Sequence, residues 1–236
     1  MGKNAWIGGG NVMWWASRYE DNDNTLVTFK YSDPEAPSPE ERTILFLSFG
    51  VQLVNSMGGS FDFGGYDINR MEGERETNPF RITQPNSPLF AGTNMSVCQQ
   101  LDMGKNIEFD GPPLAGFDAN GLPVGDTQSM DVYRHEILAY GWGSRGGHTM
   151  GTMHVHQNVP QSGYVVQFGS IGATWQVFNK GDGQLYRKIM NNTLDILTTG
   201  KNPFSPHADE VREVAYPFVI PMSLDATPNI FEKCAR

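Results

Sequence analysis

Glycine and proline interrupt this chain so often that long helices have almost nowhere to form. With 27 glycines and 15 prolines in 236 residues, the pattern calls for many turns and long loops rather than a helical bundle. One stretch escapes. In residues 184–199, Leu185, Ile189, Thr193, Leu194, Ile196 and Leu197 fall on one broad face, which predicts an amphipathic helix. Asp182 is placed to cap its start and Gly200 suits its C-terminal turn.

The remaining elements read as short strands between loops. Residues 4–10 read as a short buried strand running into the glycine turn Gly8-Gly9-Gly10-Asn11, and residues 25–31 alternate apolar and polar side chains. Residues 133–140, 149–157 and 163–168 are further strand candidates, the last two flanking a turn at 158–162. The apolar run 43–54 is too short for periodicity to separate strand from helix. Residues 86–95 hold a turn and a short element. Polar or glycine-rich stretches at 32–42, 55–80 and 104–127 read as loops, the last with GPP, NG and GD turn signals. The proline-containing tail 201–236 reads as an extended wrap along the surface, so the chain divides into a domain at 1–200 and a tail at 201–236.

Hydrophobic residues make up 39% of the chain and charged residues 18%, enough to bury a core. The net charge of −9 and the lack of clustered Lys and Arg exclude a nucleic-acid backbone as partner. Cys98 and Cys234 are too few for a disulfide framework; a single bridge between them is open, and free thiols of a reducing compartment are the preferred reading. The start MGKNAWIGGGN lacks the apolar run of a leader, and no stretch approaches the ~18 apolar residues of a membrane span. The expectation is a soluble, cytoplasmic protein without a membrane partner.

The sharpest local feature is His154-Val155-His156. On a strand, residues two apart share a face, so both imidazoles can reach one metal ion. The same arrangement opens the metal motif of cupins, which place a glutamate a few residues later; here Gln157-Asn158-Val159-Pro160-Gln161 follows instead. His148 and His135 are possible further ligands, and the bland alternative is the solvent face of an edge strand. Gly8-Gly9-Gly10-Asn11 lacks a phosphate-loop signature and reads as a structural turn. Trp14 and Trp15 suit a core or a substrate pocket. Trp142, between Gly141 and Gly143, suits a pocket or a carbohydrate contact. The acidic loop with Asp62, Asp67, Glu72, Glu74 and Glu76 does not match a calcium ladder. Glu108 and Asp110 are two apart, and Cys98 has no recognisable catalytic partner. No catalytic residue is assigned.

Four segments, in order, carry a resemblance. They are Gly9-Gly10-Asn11-Val12-Met13-Trp14-Trp15 with Arg18-Tyr19-Glu20; Pro88-Leu89-Phe90-Ala91-Gly92-Thr93 with Glu108-Phe109-Asp110-Gly111; Ile137-Leu138-Ala139 with Thr149-Met150-Gly151; and Val165 to Trp175 with Asn191-Asn192-Thr193-Leu194-Asp195. Together they resemble the C-terminal half of the catalytic domain in the N,N-dimethylformamidase large-subunit family, over residues 4–200. The tail has no counterpart there. The resemblance implies a partial α/β fold: a three-layer, glutamine amidotransferase-like (flavodoxin-like) and mostly parallel sheet with long Gly/Pro-rich loops.

It also implies a metal-assisted hydrolase acting on a small amide through iron held by tyrosines and a glutamate. Of that ligand set only the glutamate falls within this chain, at Glu20, with Asp21 as its rival. Taken together with the local motifs, the candidate site residues are Glu20, His154 and His156 for the metal and Trp14, Trp15 and Trp142 for the substrate. A partner subunit or a second copy would complete the domain. The alternatives are a non-catalytic glycan- or protein-binding module and a cupin-like metal protein built on His154 and His156.

Overall fold

The computed structural model describes residues 3–10, 17–22, 24–28, 54–67, 79–103, 108–144, 148–170, 172–178, 183–206, 214–217 and 234. Its strands are β1 (Ala5–Ile7), β2 (Ser17–Glu20), β3 (Thr25–Thr28), β4 (Gly65–Asp67), β5 (Phe80–Ile82), β6 (Gln100–Leu101), β7 (Glu108–Gly111), β8 (Leu114–Phe117), β9 (Pro123–Gly125), β10 (Arg134–Ser144), β11 (His148–Gln157), β12 (Val165–Gln167) and β13 (Tyr216–Pro217). Its α-helices are α1 (Val54–Met57), α2 (Phe61–Gly64), α3 (Thr127–Met130) and α4 (Gly183–Thr199).

The fold is mostly β, and the three-layer α/β expectation is overturned. Eight strands form one mixed sheet in the order β1-β12-β11-β10-β4-β7, with β5 joined to β10 and β6. Every ladder in it is antiparallel except β1 with β12. A parallel sheet needs a crossover, usually a helix, at each step. Among the described residues only α4 is longer than one turn. The turn signals in 104–127, expected to mark one loop, are corners between strands. Gly111-Pro112-Pro113 separates β7 from β8, Asn120-Gly121 separates β8 from β9, and Asp126 caps α3 by accepting from the Gln128 and Ser129 amides.

The sheet buries both faces. On one, Leu138, Ala139, Met153, Val155, Val166 and Phe168 pack with Tyr186, Ile189 and Ile196 of α4 and with Phe204. The helix ends as the sequence predicts: Gly200 adopts φ +70° and the Lys201 amide reaches the Ile196 carbonyl. Leu194, assigned to the apolar face, is exposed, and Tyr186 takes a place on it instead. Ile189→Ala should cost about 2–5 kcal/mol, read from a urea midpoint, because the side chain is 1% exposed and its neighbours cannot collapse freely.

On the second face, Phe117, Ile137, Tyr140, Trp142 and Met150 form an aromatic cluster. A bulge at Leu138 makes this continuity possible. Ile137 pairs with His154 but Ala139 pairs with Met153, so Leu138 is the extra residue. It resets the alternation, so that Ile137, Tyr140 and Trp142 share one face while Leu138 and Ala139 both turn toward α4.

Among the described residues the tail packs and bonds back onto the body, beginning with Phe204 in the core. The Ser205 amide donates to the Glu136 carboxylate at 2.8 Å, and its hydroxyl donates to the other carboxylate oxygen. β13 pairs with β8 through Tyr216 and Phe117. Cys234 is disulfide-bonded to Cys98, so the free-thiol reading is corrected. Among the described residues no helix is long and apolar enough to cross a membrane.

Candidate functional site: a buried histidine cluster

The cluster follows from strand periodicity and register. Thr152, His154 and His156 alternate along β11 and share a face. Across the β10 ladder, His156 faces His135 and His154 faces Ile137; across the β12 ladder, His154 faces Gln167 and His156 faces Val165. β11 lies inside the sheet between β10 and β12. His154 and His156 are each 0% exposed, which replaces the solvent-face alternative. The ring centroids lie 4.8 Å (His135–His154), 5.9 Å (His154–His156) and 6.4 Å (His135–His156) apart.

Main chain roofs the cluster. His154 Nε2 lies 3.0 Å from the Met57 carbonyl oxygen, and His156 Nε2 lies 3.1 Å from that of Ser56. A carbonyl only accepts, so each Nε2 carries the proton and each Nδ1 keeps a lone pair. For His154 that lone pair accepts from the Thr152 hydroxyl at 2.8 Å. For His156, Nδ1 has no hydrogen-bond partner in the structure, and neither nitrogen of His135 has one. Gly58, at φ +71°, closes over them. A Cβ there would stand 2.5 Å from His156 Nδ1 and 2.8 Å from His154 Nε2. Gly125 approaches His135 Nδ1 in the same way, at 2.7 Å from its would-be Cβ. Only glycine lets the backbone come this close.

Burial keeps all three rings neutral at pH 7. It pushes His154 down to about 3, with repulsion from His156 adding to it and the Met57 and Thr152 contacts opposing. It pushes His156 down to about 4, against the opposing effect of the Ser56 carbonyl and the Asn158 side chain. His135 falls well below its ordinary 6.5, first by burial and then by repulsion from His154 and His156; the nearby Gly58 backbone opposes this without reaching hydrogen-bond geometry. Neutral imidazoles are the form that ligates metals and accepts protons. Among the described residues, no three His, Cys, Asp or Glu side chains already stand in ligating geometry.

A second buried polar group lies beside the cluster. Gln167 Nε2 donates to Asp110 Oδ2 at 2.7 Å, and the Asp110 amide donates to the Gly169 carbonyl. Gln167 Oε1 and Ser170 Oγ have no partner in the structure. Asp110 is thus a buried member of the sheet, whereas Glu108 on the same strand is partly exposed.

Of the other sequence-derived candidates, none that is described belongs to this cluster. Glu20 ends β2, paired with Thr25 in a separate two-stranded ladder. Trp14 and Trp15 lie outside the described residues. Trp142 is 8% exposed within the aromatic cluster, a core position. His135, which the sequence offered only as an extra ligand, is the member that makes a cluster of the His-x-His pair.

No family model matches the chain. Over 141 residues, 56% of this chain, the sequence is 27% identical to a probable endopolygalacturonase I of Aspergillus terreus, of which 37% is covered. The chain therefore spans little more than a third of that curated relative.

Proposed function

We propose that this chain is part of a hydrolase whose working centre is the imidazole cluster His135, His154 and His156, loaded with a transition-metal ion. The observation that carries the proposal is the lone-pair arrangement. His135 and His156 face each other across one ladder with unclaimed nitrogens, and the far nitrogen of His156 is held by a backbone carbonyl. That second hydrogen bond is what fixes the tautomer and orientation of a ligating imidazole. His154 becomes the third ligand if its Nδ1 exchanges the Thr152 hydroxyl for the ion. Imidazole nitrogens suit zinc, copper, nickel or iron. Such an ion supplies Lewis acidity and an acidified water. The chain's own residues orient the rings and exclude bulk water.

Hydrolysis as the reaction type is supported by the likeness to the probable endopolygalacturonase. The small-amide substrate rests on the dimethylformamidase-like segments alone, and the mostly β sheet removes the fold that went with them. Among the readings of the sequence, the β-fold metal protein built on His154 and His156 is the one this architecture favours.

The test is metal titration of chelator-stripped protein by calorimetry with zinc and iron(II). Saturation at one ion per chain is expected. His135→Ala and His156→Ala should each weaken binding about 100-fold or more, while circular dichroism stays unchanged. Turnover is then scored with polygalacturonate, as reducing ends released, and with a small formamide, as amine released. A wild-type chain that takes up neither metal at micromolar concentration sinks the proposal.

A further inference from the structure

We propose that Asn94 is an N-glycosylation site, the acceptor of a glycan delivered from a lipid-linked oligosaccharide. The acceptor pattern, Asn-x-Ser/Thr with x other than proline, occurs at Asn94-Met95-Ser96 and at Asn191-Asn192-Thr193. The fold separates the two. The second lies within α4, where Asn192 and Thr193 have structural tasks. The Asn192 side-chain amide donates to the Leu89 and Ala91 carbonyls at 2.9 Å each, and the buried Thr193 hydroxyl donates to the Ile189 carbonyl at 2.9 Å. Transfer needs the acceptor amide and the hydroxyl two residues later presented together, and a helix sets residues two apart on different faces.

The first pattern meets that need. Asn94 and Ser96 are both exposed, in an irregular segment between the turns at 91–92 and 97–98. Asn192 fixes the base of this loop to α4, so the acceptor stands in solvent on anchored backbone. Asn94 has φ +56°, a conformation that Asn adopts more readily than most residues. That accounts for an asparagine here but not for the hydroxyl at Ser96, whose contact with Gln99 Oε1 is a long 3.4 Å. The compartment agrees: N-glycans are added along the secretory route, where disulfides also persist, and Cys98 in the same loop is bonded to Cys234. On this proposal the chain matures outside the cytosol. In the transfer, Asn94 Nδ2 forms the bond to the sugar C1 and gives up one proton. The C1–O bond to the lipid diphosphate breaks, and the diphosphate leaves with the electron pair and the proton.

The full chain is isolated from its own source, reduced, digested with trypsin and mapped before and after peptide N-glycosidase in heavy-oxygen water. The two patterns fall on separate peptides, 82–105 and 189–201. Peptide 82–105 should carry a hexosamine-containing glycan in most molecules, and the enzyme should convert Asn94 to heavy-labelled aspartate. Expressed in the same organism, Asn94→Gln and Ser96→Ala should each abolish the modification, whereas Ser96→Thr should retain it. Ser96→Ala keeps Asn94 in place and removes one weak, exposed hydrogen bond, so circular dichroism should match the wild type and the loss reads acceptor chemistry rather than folding. An unmodified 82–105 peptide from the source protein overturns the proposal, as does a glycan confined to Asn191.

Discussion

Gly169→Ala is expected to yield no soluble folded protein, whereas Gly200→Ala, with nearly the same backbone conformation, should cost only about 1 kcal/mol. Gly169 has φ +62° and Gly200 φ +70°, so both substitutions incur the left-handed penalty of an L-residue. Their surroundings separate them. A Cβ on Gly169 would stand 1.8 Å from the Thr152 carbonyl oxygen and 3.0 Å from that of Asp110, whereas Gly200 has nothing within 4 Å. The obstacles at Gly169 are backbone atoms of β11 and β7 and cannot rotate away. Moving the chain also breaks the Asp110 amide to Gly169 carbonyl bond at 2.9 Å and disturbs Thr152, whose hydroxyl holds His154. A loss above ~4 kcal/mol is in the range that unfolds an ordinary domain. Soluble yield decides the matter first: a Gly169→Ala protein recovered folded, with a urea midpoint like that of Gly200→Ala, would mean that residues 168–170 do not approach β11 this closely.

Local order was legible in the sequence where one period dominated. The helix at 184–199 appears as α4, one residue longer, because its apolar face repeats over four turns and Gly200 ends it. The strands proposed from alternation or apolar runs, at 4–10, 25–31, 133–140, 149–157 and 163–168, each have a strand within or across them, with shifted ends. The turn at 158–162 does join β11 to β12. Pairing was not legible. Strand direction depends on contacts distant in sequence, and short apolar strands look alike in parallel and antiparallel sheets. The resemblance supplied a mostly parallel sheet, whereas the ladders among the described residues are antiparallel but for one.

The site was half legible for the same reason. His154-Val155-His156 announces two imidazoles on one face, but burial needs knowledge of what covers them. The roof is Ser56–Gly59, about a hundred residues away in sequence. His135 was recoverable in principle. Residues 134–157 are nearly symmetric about Arg145-Gly146-Gly147, and folding the chain back at those glycines sets His135 opposite His156. The bulge at Leu138 obscures that symmetry. Asp110 and Gln167 meet through β7 and β12, which no local pattern relates.

Metal-free protein should lose stability steeply as pH falls from about 6.5 toward 4, a loss that begins well above the range in which carboxylates protonate. The direction follows from linkage. In the unfolded chain His135, His154 and His156 titrate near 6.5, while in the folded chain His156 holds out to about 4 and His154 to about 3. Between those limits the unfolded state binds protons that the native state refuses, so stability is fully present above pH 6.5 and declines below it. His156 alone accounts for about 3 kcal/mol over that interval, at ~1.4 kcal/mol per unit. With His154 and His135 added, the total rivals the whole stability of a domain. Asp126, whose carboxyl is lowered by the Ser129 hydroxyl, adds its own loss only at pH values below the histidine window. Urea midpoints at pH 8, 6.5, 5.5 and 4.5 should therefore fall mainly between the second and last values. His135→Phe removes one buried base and should flatten that limb with little effect at pH 8. A midpoint independent of pH from 8 to 4.5 would mean that the imidazoles are hydrated, and that the closed roof of Ser56 to Gly59 is not the state of the protein in solution.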